Sequence, residues 1–418
     1  MPCGVKFKNK LIHYLSQYDC FCVLDSNFED EKEKFSFLAA FKQSNELINS
    51  HNLFTDLDSY INNNLDWIFG FLSYDIKNKI ENLSSNNSDY QKFPLLHFFV
   101  PEILIKINSN DIEFLYNNHI LNSEIEKIFN KICSLNFKNT TRHSIKFQSR
   151  VSKEQYISNI ESIKQHLQLG DIYELNYCQE FYANNIKINP YQLFIDLNNQ
   201  SKAPYSGLYK INNHLCLCAS PERFIKKSNN KLISQPIKGT IKRLNNKKLD
   251  LKNKDILLNS SKDFSENIMI VDLVRNDLSR IAIPLSVKVD ELAGLYTYQD
   301  VHHLISTISC EIKSETLFSD IIKSLFPMGS MTGAPKVRAM ELIEKYENTR
   351  RGIYSGSIGY IDPQKNFDFN VVIRSIFYNF QTNYLSFMVG GAITIESDPE
   401  AEYEECLSKV QSIINVLS

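Results

Sequence analysis

The stretch Ser206 to Ala219, S-G-L-Y-K-I-N-N-H-L-C-L-C-A, decides the fold class. Its apolar and aromatic residues read as strand, and it stands in a series with Ile172–Phe181, Arg223–Ile225 and Leu232–Ile237. Several of these segments alternate apolar and polar residues, as an antiparallel sheet with one wet face would. Further strands are expected at Cys20–Asp25, Trp67–Tyr74, Phe98–Ile107, Ser286–Leu292 and Tyr354–Ile361, with a hairpin-like pair at Asn370–Asn379 and Leu385–Ile395. Helical spacing of Tyr156, Ile160, Ile163 and Leu167 after a Ser152 cap predicts a helix that Gly170 ends. Other helices are expected at Ser261–Leu278, near His302–Ser309, at Ala334–Tyr346 and from Pro399 onward. Strands and helices without regular β-α-β alternation argue for an α+β fold with large antiparallel sheets.

The 418 residues suffice for one large or two ordinary domains, and the polar, irregular stretch from Asn122 to Arg150 suggests a soft boundary between 1–150 and 151–418. Lys plus Arg (46) nearly balance Asp plus Glu (48), so the formal charge of -2 gives no electrostatic case for nucleic acid or an anionic membrane surface. None of the nine cysteines forms a C-x-x-C pair. The C-x-C pairs Cys20/Cys22 and Cys216/Cys218 each fall on one face of a strand and read as reduced core thiols. Met1-Pro2-Cys3-Gly4-Val5-Lys6 lacks the apolar core of a signal peptide, and no stretch has the apolar length of a membrane span. A cytoplasmic small-molecule enzyme is expected.

Several residues carry possible chemistry. In Q-P-I-K-G-T at 235–240, Lys238 lies where backbone freedom is restricted and solvent limited, which suits an amine that must lose its proton to react. The alternative is a surface lysine in a Pro/Gly turn. On the last helix Glu402 and Glu405 share a face with Lys409: two oxygens suited to a hard cation such as Mg²⁺ beside a cation for an anionic substrate, or a solvated face with an ion pair. Asp263 and Glu266 form a second acidic pair; Glu266 needs a partner among apolar neighbours, either a metal or Arg275, Arg280 or a helix cap. Gly329–Lys336 lacks the spacing of a nucleotide phosphate loop, although its free amides, like Gly390-Gly391, suit a carboxylate. His302 and His303 lack metal-ligand spacing, and Arg374 could clamp a carboxylate or pair with an acid.

Six segments together resemble the chorismate-utilising family that includes anthranilate synthase component I and the isochorismate synthases. They are D-I-Y-E-L-N (171–176), S-P-E-R-F (220–224), P-I-K-G-T (236–240), E-N-I-M-I-V-D-L-V-R-N-D (266–277), G-S-M-T-G-A-P-K-V-R-A-M (329–340) and S-D-P-E-A-E-Y-E-E (397–405). W-I-F-G-F-L-S-Y-D (67–75) and V-P-E-I (100–103) resemble the family's N-terminal region, which packs onto the chorismate-binding part. The resemblance implies antiparallel sheets packed as a sandwich with helices outside.

It also implies roles. Lysine at the position of Lys238 marks the branch that aminates chorismate on the way to p-aminobenzoate and folate, where anthranilate-forming members carry alanine. There Lys238 attacks ring carbon 2 as the 4-hydroxyl leaves, Glu222 protonates that hydroxyl, and ammonia enters at carbon 4. Glu266, Glu402 and Glu405 match Mg²⁺ ligands, with Asp263 in support. Thr240, His303, Thr332, Tyr354, Arg374, Gly391, Ala392 and Lys409 match substrate contacts. Glu174 stands where ammonia-adding relatives have glutamine and water-adding ones lysine. Val23–Ser26 and Pro204–Ser206 resemble the region where relatives bind tryptophan. No G-x-C-x-G surrounds a cysteine, so ammonia is expected from solution or a separate glutaminase subunit. The competing readings are an anthranilate-forming enzyme and a catalytically silent chorismate-binding regulator.

Overall fold

The structure, a computed structural model, describes residues 3–28, 35–108, 111–136 and 145–417. Met1 and Pro2 of the N-terminal stretch, and 137–144 of the polar segment, lie outside the described residues.

The stretch that opened the reading is two strands rather than one. Tyr205–Ile211 and His214–Ser220 pair antiparallel, and the chain reverses at Asn212, whose φ of +50° lies in the left-handed region asparagine tolerates. From this hairpin one ribbon of antiparallel strands extends both ways. On one side follow Cys20–Asp25, Phe37–Ile48, Leu96–Ile107, Ile68–Leu72 and Ser357–Ile361. Phe367–Asn370, Arg223–Ser228, Lys231–Gln235 and Val301–Glu311 continue it. On the other side come Ser375–Asn379, Tyr384–Ile393 and Glu174–Ala183. Strands from both sides of residue 150 are neighbours: Cys20–Asp25 pairs with Tyr205–Ile211, and Ile68–Leu72 with Ser357–Ile361.

Because successive side chains leave a strand on opposite faces, the ribbon feeds two cores. Cys20, Cys22, Tyr209, Cys216 and Cys218 enter one, with Phe71, Phe98 and Phe369 from the strands folded over them. Phe21, Val23, Leu208, Leu215 and Leu217 enter the other, which the helices Cys3–Leu15, Lys153–Gln168, Pro190–Ser201 and Pro399–Leu417 cover. Both faces of the hairpin are therefore buried, and the expected wet face is absent there. Eight of the nine cysteines, from Cys20 to Cys406, are free thiols, seven of them buried. Among the described residues no helix is long and apolar enough to cross a membrane.

Three further differences have physical causes. His302–Ser309 is not helical but part of the strand Val301–Glu311; a short apolar run does not distinguish the two states, and pairing on both sides decides for strand. Within the stretch read as irregular, Asn122–Ser134 is a helix burying only Ile125 and Ile132. Pro190–Ser201 and Lys247–Leu258 were also not anticipated, although Asn189 and Asn246 cap them. The Ser152 cap forms as expected, accepting from the Gln155 amide. The helix Ser261–Ser279 also forms, carrying Glu266 and packing on the strands Ile237–Lys242 and Val301–Glu311, but it is buried on one face only and leaves Ile268 exposed.

Candidate active site

Lys238 sits at an irregularity in its strand: the register opposite Val301–Glu311 shifts between Ile237 and Thr240. Gly239 follows with φ +94°, and a Cβ there would lie 3.1 Å from Asp263 Cβ, so glycine lets the helix approach. Asn267 Nδ2 donates to the Lys238 carbonyl at 2.8 Å and is itself fixed by Ser306 Oγ, which donates to Asn267 Oδ1. The residue is 8% exposed, which removes the surface-turn alternative.

Lys238 Nζ donates to Glu174 Oε1 at 2.5 Å, and Glu174 is 1% exposed. Burial pushes the amine's pKa down, but Glu174, Glu266 and Glu222 outweigh it and leave it raised. The lysine is thus held as ammonium, contrary to the expectation that its surroundings strip the proton. Glu222 lies in the turn before Arg223–Ser228, and Ser330 Oγ donates to its Oε1 at 2.6 Å. Burial pushes the Glu222 carboxyl up to about 7 despite Ser330 and Lys238.

The acidic groups converge on a lysine. Lys262 Nζ stands 3.4 Å from Glu402 Oε1 and 4.0 Å from Glu266 Oε1. Glu266, whose expected alternatives were Arg275, Arg280 or a cap, pairs with neither arginine: Arg275 bonds Asp272. Burial pushes its carboxyl up to about 7, with Glu174 and Asp263 adding to the rise. Glu402 is buried and accepts from Ser397 Oγ at 2.7 Å. Glu405 is half exposed and paired to Lys409 at 2.8 Å; burial opposes it, but Lys409, Lys262 and Arg374 hold its carboxyl below the ordinary value. Among the described residues no three acidic, histidine or cysteine side chains close on one point as metal ligands. In kind the donors fit, since an all-oxygen set around a cation suits a hard divalent ion, and Lys262 holds the place between Glu266 and Glu402.

Gly391 lies against this cluster: a Cβ there would meet Glu402 Oε2 at 3.3 Å and Lys409 Nζ at 3.7 Å. Ala392 is its neighbour, paired with Asn176. Thr240 Oγ1 bonds His303 Nδ1 at 2.7 Å, and His303 is pushed down to about 3 by burial and Arg374, so the ring is neutral. Arg374, at φ +54°, forms no hydrogen bond or ion pair with the described residues and lines with His303 a cavity of about 140 Å³. Tyr354 is buried with its hydroxyl 3.9 Å from Cys178 Sγ. Thr332 is turned inward, donating to the Met328 carbonyl at 3.0 Å. The amides of Met331 and Thr332 bond the Met328 and Gly329 carbonyls, so these two amides of Gly329–Lys336 are engaged within the segment.

Sequence reasoning missed Lys262, Ser330, Asn267 and Ser397. Lys262 carried a signal, standing four residues before Glu266. His302 is structural, bonding Asp250 at 2.9 Å and Thr297 at 3.0 Å.

A family model described as chorismate binding enzyme matches residues 17–415. Aminodeoxychorismate synthase component 1 of Escherichia coli (strain K12) is 40% identical over 271 residues, which cover 65% of this chain and 59% of that relative. The protein of the same name from Bacillus subtilis (strain 168) is 31% identical over 386 residues, covering 88% of this chain and 81% of the relative. Among solved structures, anthranilate synthase component I from Streptococcus pneumoniae superposes with a TM-score of 0.80 at 23% identity, over 93% of each chain. The menaquinone-specific isochorismate synthase from Escherichia coli gives 0.75 at 16%, over 97% of this chain and 91% of that one. Both share the sandwich of antiparallel sheets with helices outside.

Proposed function

The chain belongs to the chorismate binding enzyme family, and from that membership we propose that it replaces the 4-hydroxyl of chorismate with an amino group, giving 4-amino-4-deoxychorismate. The observation that carries the reading is Lys238, buried with one carboxylate on its nitrogen and a second, Glu222, able to hold a proton near neutral pH. The names of the Escherichia coli and Bacillus subtilis relatives support the same branch.

In this reading Lys238, once it has given up a proton, attacks ring carbon 2. Glu222 protonates the 4-hydroxyl, which leaves as water. Ammonia then bonds to carbon 4 and the lysine departs, two easier displacements replacing one hard one. Chorismate is a dianion, and Arg374 with Lys409 supplies cations for its carboxylates while Gly391 admits it close to the backbone. Tyr354, Thr240, His303, Thr332 and Ala392 complete the walls. Glu266, Glu402 and Glu405, with Asp263 nearby, would hold Mg²⁺ after Lys262 turns aside; when bound, the ion offsets carboxylate charge on the ring. Ammonia comes from a separate glutaminase subunit, the reaction is cytoplasmic, and the product feeds p-aminobenzoate and folate synthesis.

The test incubates the purified protein with chorismate, a magnesium salt and an ammonium salt, with and without aminodeoxychorismate lyase. p-Aminobenzoate should appear only with the lyase. Fluorescent anthranilate formed without it would assign the chain to the anthranilate branch instead.

A further inference from the structure

Glu174 has one oxygen engaged and one idle. Its Oε1 accepts from Lys238 Nζ at 2.5 Å, while its Oε2, equally buried, has no hydrogen-bond partner among the described residues. A buried polar atom left without a partner is costly, so an idle carboxylate oxygen in a 1% exposed residue calls for a donor that arrives later.

The charges around it say what kind of donor. Lys238 bonds Glu174 from the strand Ile237–Lys242, Glu266 acts on both from the helix Ser261–Ser279, and Glu222 acts on Lys238. Lys262, beyond Glu266, is shared with Glu402. Behind Glu174, Arg351 is consumed by Glu347 and by the Asn176 carbonyl. Among the described residues the one ammonium paired with Glu174 is that of Lys238. Lys238 releases one proton to solvent before it attacks and a second, once bonded to the ring carbon, to the Glu222 carboxylate left by protonation of the hydroxyl. The adduct is then a neutral secondary amine, and Glu174 is left as a buried carboxylate without its cation. A small cation with N–H donors fits both needs; neutral ammonia fits only the hydrogen bond.

We propose that this chain takes its nitrogen as the ammonium ion, with Glu174 carrying a proton from ammonium at Oε2 to the departing Lys238 nitrogen at Oε1. The inference rests on the reading of Lys238 as nucleophile. Ammonium gives one proton to Glu174, and the freed ammonia forms the bond to carbon 4. The carbon 2 to Lys238 bond breaks with its electron pair going to nitrogen, which receives the proton from Glu174. The five hydrogens of ammonium and the secondary amine reappear as three on the product nitrogen, which bears the positive charge, and two on Lys238. Glu174 ends as it began.

The experiment measures KM for total ammonium, supplied as ammonium chloride, between about pH 7 and 9 in wild type and Glu174→Gln. If ammonium itself is used, the wild-type KM is flat, whereas E174Q depends on free ammonia and its KM falls about tenfold per pH unit. A wild-type KM that falls equally steeply overturns the proposal, as does a flat E174Q profile. Intact mass after incubation with chorismate and a magnesium salt, without ammonium, separates this from the underlying reading: no adduct on wild type sinks the Lys238 assignment, whereas an adduct with a falling wild-type KM sinks only the ammonium step. Adduct formation by E174Q also reports its folding, and should it fail to fold the wild-type profile alone decides.

Discussion

At the residue scale the enclosure is a contest between burial and pairing. Glu222 keeps a proton because burial outweighs the Ser330 hydrogen bond and the nearby Lys238, lifting it to about 7. A carboxyl raised this way is the competent acid below its pKa and loses the proton above it, so adduct formation on chorismate should decline as pH rises through about 7. Glu222→Gln should be slower by about a hundredfold or more and lack that decline, read by rapid-quench intact mass. A wild-type falling limb retained in E222Q would assign it to another group. Lys238, Glu222 and the glutamates were legible in the sequence, because local motifs carry them. Lys262 between Glu266 and Glu402, and the bond from Lys238 to Glu174 across 64 residues, were not: only the fold sets such pairings.

At the element scale the site depends on backbone contacts that only glycine permits. Gly333 has φ +151°, and a Cβ there would lie 2.1 Å from the Glu174 carbonyl oxygen, in the two-residue pairing that fixes the start of the strand Glu174–Ala183. Gly333→Ala should cost more than about 1 kcal/mol in urea unfolding and displace Glu174 from Lys238. Unchanged stability would show that this pairing gives way freely. Elements with a cap and a clean period, such as Lys153–Gln168, could be read in advance. Val301–Glu311 could not, since its apolar run has the length of either state and its pairing partners come from distant parts of the chain.

At the scale of the whole molecule, strands on either side of residue 150 share one ribbon, so neither part closes its sheet alone. Unfolding should therefore be a single transition. Fluorescence of Trp67, the sole tryptophan, and far-UV circular dichroism should give coincident urea curves; separated midpoints would show two independently stable parts. The ribbon also explains why chemistry so dispersed in sequence meets: residues 174, 222, 238 and 266 come from two strands, a turn and a helix that the sandwich folds around one lysine. The most direct test of that convergence is intact mass, followed by peptide mapping, after incubation with chorismate and magnesium but no ammonium. The account predicts a gain of chorismate less water located on Lys238 and absent from Lys238→Ala. An adduct that persists in K238A, or maps to another residue, would contradict it.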